Sequence, residues 1–323
     1  MSHRTRRQAL GMGAALLALS LTAACGGGDG GSGTDAAATG GSGAAGGDRE
    51  ITMGIIPSWT DGLSTAYLLK NVLESEGYTV KITELSEAAP LYAGLANGDI
   101  DIYPSAWPEV THKAYMDQYG KDLEDLDTYY TNAKLTMAVP DYVNIQSIDE
   151  LPAHASELGG KVVGIEPGAG LTKITKEKVF PAYNLGSSFQ LVESSTTAML
   201  AELKSAIDKK QPIVVTLWRP YWANNSFPVR DLKDPKGALG SAEGLHVLAH
   251  KGFSQEFPQV ASMLAKFKLD DKQYGTLEDT VVNTFGKGKE AEAVQDWLAK
   301  NPDYVNTLKG GATNSSPSSS PSS

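Results

Sequence analysis

The sequence predicts an α/β fold divided into two lobes. Short β-rich runs alternate with helical stretches of about a dozen residues, which is the pattern of a largely parallel sheet. The alternation occurs twice, and extended apolar segments join the two sets. Taken in order, residues 51–56 (Ile-Thr-Met-Gly-Ile-Ile) read as a strand, and 64–77 as a helix with Ala66, Leu69 and Leu73 on one face. Residues 78–85 alternate like a strand, 88–97 read as a helix closed by Gly98, and 100–103 as a third strand. An apolar run at 134–139, halted by Pro140, opens the second set. There, 161–165, 190–192 and 212–217 read as strands, 171–179 and 196–208 as helices, and 246–249 as a further strand. Helical patterns at 259–267 and 290–300 close the body. No short period repeats along the chain, which excludes a solenoid or propeller. One lobe is expected at 49–137 plus 248–309 and the other at 138–247, with hinge strands near Leu135 and His246. Ligands of such sheets lie beyond the carboxyl ends of the strands, here where the lobes face each other.

The ends of the chain carry an address. Arg4, Arg6 and Arg7 precede an apolar stretch at 9–24, shorter than the roughly 20 residues of a membrane span. The stretch runs into Leu21-Thr22-Ala23-Ala24-Cys25, small residues before a cysteine, as in a bacterial lipobox. Residues 1–24 are therefore expected to be a signal peptide, with Cys25 lipidated and holding the protein to the outer face of the cell membrane. Thr5-Arg6-Arg7-Gln8 is a weaker pointer to twin-arginine export. Residues 25–48, nearly all Gly, Ala, Ser, Thr and Asp, suit a flexible tether, and 310–323 is a Gly, Ser and Pro-rich tail expected to be disordered.

Composition removes several classes of function. The formal charge of −10, from 28 basic and 38 acidic residues, becomes more negative once the leader's three arginines are gone, which argues against nucleic acid. A single cysteine allows neither an internal disulfide nor a cysteine-based zinc site. The chain has no Gly-x-Ser-x-Gly elbow and no His-Glu-x-x-His, so a secreted hydrolase has little to stand on. His112 with Glu109 or Asp117 is the one acid–base pair to be assembled, at spacings common by chance.

Three of the five tryptophans, Trp59, Trp107 and Trp218, sit at the carboxyl ends of expected strands. One tryptophan there is more often core than ligand contact; three in equivalent places reverse that weighting. A quaternary ammonium has no N–H to donate, so the face of an aromatic ring is what recognises it, and the indole offers the strongest face. Gly164-Ile165-Glu166-Pro167-Gly168-Ala169-Gly170 joins a strand to a helix and would bring backbone N–H groups close to an anion. His112, five residues past Trp107, is placed to add a hydrogen bond to the same anion.

These segments resemble a known family. Ser105-Ala106-Trp107-Pro108-Glu109-Val110-Thr111-His112-Lys113-Ala114-Tyr115 is similar to the Ala-Trp-Leu-Pro-x-Thr-His-Lys segment of glycine betaine-binding proteins of the OpuAC type. Val163 to Gly170 resembles their Gly-Ile-Asp-Pro-Gly-(Ser/Ala)-Gly turn, and Ser241-Ala242-Glu243-Gly244-Leu245-His246 with Lys251-Gly252-Phe253 is a third similar stretch. The resemblance implies a type II periplasmic-binding fold, no enzymatic activity and no cofactor. It implies a monomer that hands its ligand to a membrane permease with an ATPase. Carried over by residue, it makes Trp59, Trp107 and Trp218 the cage, the amides of Gly164 and Ile165 the carboxylate site, and His112 its helper. The chain departs at Trp218-Arg219-Pro220-Tyr221-Trp222, where the family often reads Trp-Thr-Pro-His-Trp. Proline betaine, carnitine and choline therefore stay open beside glycine betaine.

Overall fold

A computed structural model describes residues 49–308. The leader, Cys25, the tether 25–48 and the tail 310–323 lie outside the described residues, and no described helix is long and apolar enough to cross a membrane.

The expected α/β alternation is present. Strand β1 (Glu50–Ile55) buries Ile51, Met53 and Ile55 and pairs in parallel with β2 (Thr79–Glu84) and β3 (Ile102–Ala106). The intervening helix Thr60–Ser75 turns Leu63, Ala66, Leu69 and Leu73 into the core. Helix Ala88–Asn97 ends at Gly98, whose φ of 78° is the left-handed conformation glycine adopts without strain.

The sequence showed only the last part of β4 (Leu123–Pro140), an 18-residue strand. Its first half is polar enough to read as loop. From Leu123 to Ala133 it pairs antiparallel with a strand late in the chain; from Lys134 onward it pairs with different partners. One strand thus belongs to two ladders. Strands β5 (Lys161–Val163), β6 (Gln190–Val192), β7 (Val215–Arg219) and β8 (Val229–Asp231) build the second ladder, with β5 parallel to both β6 and β7. Strand β9 (Glu243–His250) returns to the first, between β3 and β4. The order is β2-β1-β3-β9-β4-β7-β5-β6, with β8 beside β4.

Helix Thr196–Asp208 falls where the periodicity put it, and the Ser195 side chain caps it by accepting from the N–H of Ala198. Helix Asp271–Asp279 was missed because its hydrophobic residues are sparse and Gly275 interrupts them. Its start was legible as a reciprocal cap, since Asp270 accepts from the N–H of Gln273 and Gln273 from that of Asp270.

Candidate functional site

A cleft with about 330 Å³ of empty space lies between the carboxyl ends of the two ladders. The structure brings four of the expected side chains into its wall, Trp59, Trp107, Trp218 and His112, and Ile165 with them. Three local backbones do this. Trp59 is the residue before helix Thr60–Ser75, and Trp107 follows β3 directly. Trp218 lies within β7, opposite Leu135, and not after the strand as the sequence suggested. The other two tryptophans stand elsewhere: Trp297 is core, and Trp222 packs on Phe227.

Two of the three cleft indoles are held by their one donor. Trp59 Nε1 donates to Glu166 Oε2 at 3.2 Å, and Trp218 Nε1 donates to Asp61 Oδ1 at 3.3 Å. Trp59 lies near-parallel to His112, with ring centroids 6.0 Å apart. Trp218 packs on Tyr221, the tyrosine that departs from the family pattern, with ring centroids 4.0 Å apart. Arg219 turns away and donates from its Nε to Asp231 Oδ2 at 2.7 Å.

His112 is buried, and burial pushes its pKa down to about 3, so the ring is neutral at ordinary pH. The backbone N–H of Trp107 donates to its Nδ1 at 3.1 Å. An N–H donor requires a lone pair there, which places the imidazole proton on Nε2. The Tyr92 hydroxyl lies 2.9 Å from the same Nδ1. The segment carrying Thr111 and His112 is fixed by Glu243, whose carboxylate accepts from the N–H groups of Val110 (2.9 Å) and Thr111 (3.1 Å).

Gly164 and Ile165 differ in their surroundings. Gly164 does not reach the cleft wall, and its N–H donates to Val192 O at 2.9 Å, because the β5–β6 pairing continues one residue past β5. Of the two amides expected there, the one belonging to a cleft-lining residue is that of Ile165.

Sequence reading missed Asp61, Thr111 and Leu135, which also line the cleft. Asp61 was hidden because an acid in the first turn of a helix reads as a partner of the helix dipole. It is buried, and burial raises its pKa to about 6, against the opposing effect of hydrogen bonds from Ser105 and Trp218.

Residues 49–300 match the family described as the substrate binding domain of ABC-type glycine betaine transport systems. The chain belongs to that family. This OpuAC family is one of solute-binding components and not of enzymes. A curated relative, the glycine betaine/carnitine transport binding protein GbuC of Listeria monocytogenes, is 34% identical over 147 residues; the match spans 45% of this chain and 47% of that relative. Among solved structures, the ProX glycine betaine/L-proline-binding protein of Borrelia burgdorferi aligns with a TM-score of 0.74 at 30% identity, over 80% of this chain and 96% of that one. Lactococcal OpuAC, closed on glycine betaine, aligns at 0.74 and 29% identity, over 81% and 99%. A choline-binding protein with choline bound aligns at 0.73 and 25%, over 83% and 94%. These neighbours share the type II periplasmic-binding architecture, the α/β class expected from the sequence.

Proposed function

We propose that the chain is the extracytoplasmic solute-binding component of an ABC importer and takes glycine betaine, or a closely related betaine, from its surroundings. The observation that carries this reading is the meeting of three indoles, from separate parts of the chain, on one small cleft that also holds His112. Each desolvated cation–π contact is worth about 2 kcal/mol, so three supply about 6. Micromolar binding needs about 8 kcal/mol. The remainder is the task of the carboxylate end, where the Nε2–H of His112 and the N–H of Ile165 would each add about 1.5–3 kcal/mol as donors to a charged acceptor.

The body is proposed to work as two lobes, 49–137 plus 248–309 and 138–247, closing on the ligand about the strand shared by the two ladders. Three contacts across the cleft support the clamp. Tyr115 Oη donates to Gly168 O at 2.7 Å, Gly168 N–H donates to Glu87 Oε2 at 3.2 Å, and Tyr221 Oη donates to Ser58 O at 3.4 Å. A monomer held to the membrane through lipid on Cys25 would then deliver the closed form to a permease and its ATPase.

Choline is the second reading, and Asp61 is what favours it. A carboxylate in the cleft wall suits a ligand with a net positive charge better than a zwitterion. Calorimetry of the folded body with glycine betaine, proline betaine, carnitine and choline separates the two readings. A clear preference for betaines supports the first; equal or tighter choline binding overturns the carboxylate site. Trp107→Ala should weaken the preferred ligand by about 2 kcal/mol with the fold retained. Full affinity in that variant removes the cage.

A further inference from the structure

The buried carboxylate of Glu166 takes four hydrogen bonds, and they divide evenly between the two sides of the cleft. From its own side, the N–H of Thr196 donates to Oε1 at 2.9 Å and the Thr196 hydroxyl to Oε2 at 2.8 Å. From the opposite side, Ser58 Oγ donates to Oε1 at 3.2 Å and Trp59 Nε1 to Oε2 at 3.2 Å. Each oxygen therefore holds one donor from each side.

An indole has a single donor, at the edge of its ring. Fixing that edge to a carboxylate leaves the ring no freedom to swing about its side-chain torsions, and sets which way its face points. Donation to an anion also pushes electron density into the ring, which deepens the negative face offered to a cation. Trp218 and Asp61 repeat the arrangement in the opposite sense, the indole on β7 of the second ladder and the carboxylate in helix Thr60–Ser75, which follows β1 of the first.

We propose that Glu166 is a positioning residue for ligand capture: it aims the Trp59 face into the cleft, and does so only when the lobes close. The proposal rests on the reading that the cleft holds a quaternary ammonium. Open lobes leave Glu166 on Thr196 alone and the Trp59 ring unaimed. Closure supplies the two cross-cleft donors and completes the cage in the same step. The effect therefore falls on how long the ligand stays and not on how fast it arrives. Helix capping accounts for only half of these bonds: Ser195 takes the Ala198 N–H and Glu166 the Thr196 N–H at the start of helix Thr196–Asp208, whereas the Ser58 and Trp59 donors come from the opposite side.

The test is a double-mutant cycle on the folded body, Glu166→Gln against Trp59→Phe, with glycine betaine and choline as the probes. Calorimetry gives Kd, stopped-flow indole fluorescence gives the two rate constants, and melting without ligand reports folding. Glu166→Gln alone should raise Kd about tenfold, the cost of one lost charge-assisted bond, through faster dissociation. In the Trp59→Phe background, where the ring has no N–H, the same change should raise Kd less than twofold. Equal losses in both backgrounds, or a loss confined to the association rate, overturn the proposal. Should Glu166→Gln fail to fold, Glu166→Asp enters the same cycle: it keeps the charge for Thr196 and is one methylene too short to hold both sides. A wild-type protein that binds neither probe overturns the cage reading and this proposal together. A wild type that binds, with an additive cycle, overturns only this proposal.

Discussion

Gly170 and Thr111 meet across the cleft with no room between them: a Cβ built on Gly170 would overlap the carbonyl oxygen of Thr111 and lie 2.7 Å from its carbonyl carbon. The backbone of Thr111 cannot retreat, since Glu243 holds its N–H. Gly170→Ala should therefore prop the lobes apart, at the 1–3 kcal/mol typical of overpacking, and raise the ligand Kd roughly 10- to 100-fold. The ligand-free melting temperature should change little, because an opened cleft relieves the overlap. Calorimetry beside thermal melts checks this. An unchanged Kd means that the closed contact is not part of the bound state.

The proton on His112 Nε2 gives a prediction about selectivity. A neutral donor aimed at a carboxylate matters to a betaine and has nothing to meet in choline. His112→Ala should weaken glycine betaine by about 1.5–3 kcal/mol and choline by much less. Affinities of the variant for both ligands test it; an equal loss for each would make His112 a support for Trp59 and no carboxylate ligand. With its pKa held near 3 by burial, His112 should contribute no pH dependence to binding between pH 5 and 8.

Asp61 should supply that dependence. Its ligand-free pKa of about 6 comes from burial. A cation docked in the same cleft favours the ionised form, so binding expels a proton wherever Asp61 was protonated. Affinity should hold above pH 7 and fall as the pH drops through 6, by up to tenfold per unit. Asp61→Asn should weaken binding at pH 8 and flatten the profile. Titrations from pH 5 to 8 decide it, and a wild-type profile that is already flat removes Asp61 from contact with the cation.

How much of this was legible follows from the kind of signal each residue leaves. The tryptophans announced themselves because indoles at strand ends are conspicuous in type and place, and Trp107 with His112 sits in a segment long enough to recognise. Helices such as Ala88–Asn97 and Thr196–Asp208 were readable from apolar spacing and their stops. Asp61, Glu166 and Glu243 were not readable as partners of the cleft residues. A carboxylate's role depends on donors brought to it from 44, 107 and 132 residues away, as with Ser105, Trp59 and Thr111, and only the fold sets those distances. Gly164 shows the converse: its glycine-rich setting suggested a free amide, whereas sheet pairing had already used it.

Glu278 makes the stability of the ligand-free protein depend on pH. It is fully buried in helix Asp271–Asp279, its Oε1 accepting from the Thr60 hydroxyl at 2.6 Å, next in the chain to Trp59. Burial raises its pKa from 4.5 to about 8, with the nearby Asp61 charge acting in the same direction. Between those two values the folded state keeps a proton that the unfolded chain has released, so the native state gains less as the pH rises. The contribution is complete below pH 4.5 and lost as the pH climbs through 8. Asp61, raised from 3.8 to about 6, adds to the lower part of the same slope. Melting temperature should accordingly fall from pH 5 to 9. Glu278→Gln keeps an acceptor for Thr60 without the charge, so it should flatten the upper part of the slope and melt higher than wild type at pH 9, by about 2–4 °C for each kcal/mol recovered. Thermal melts of both proteins across that range check the sign, and parallel curves would mean that Glu278 is ionised in the fold across the whole range, with no raised pKa.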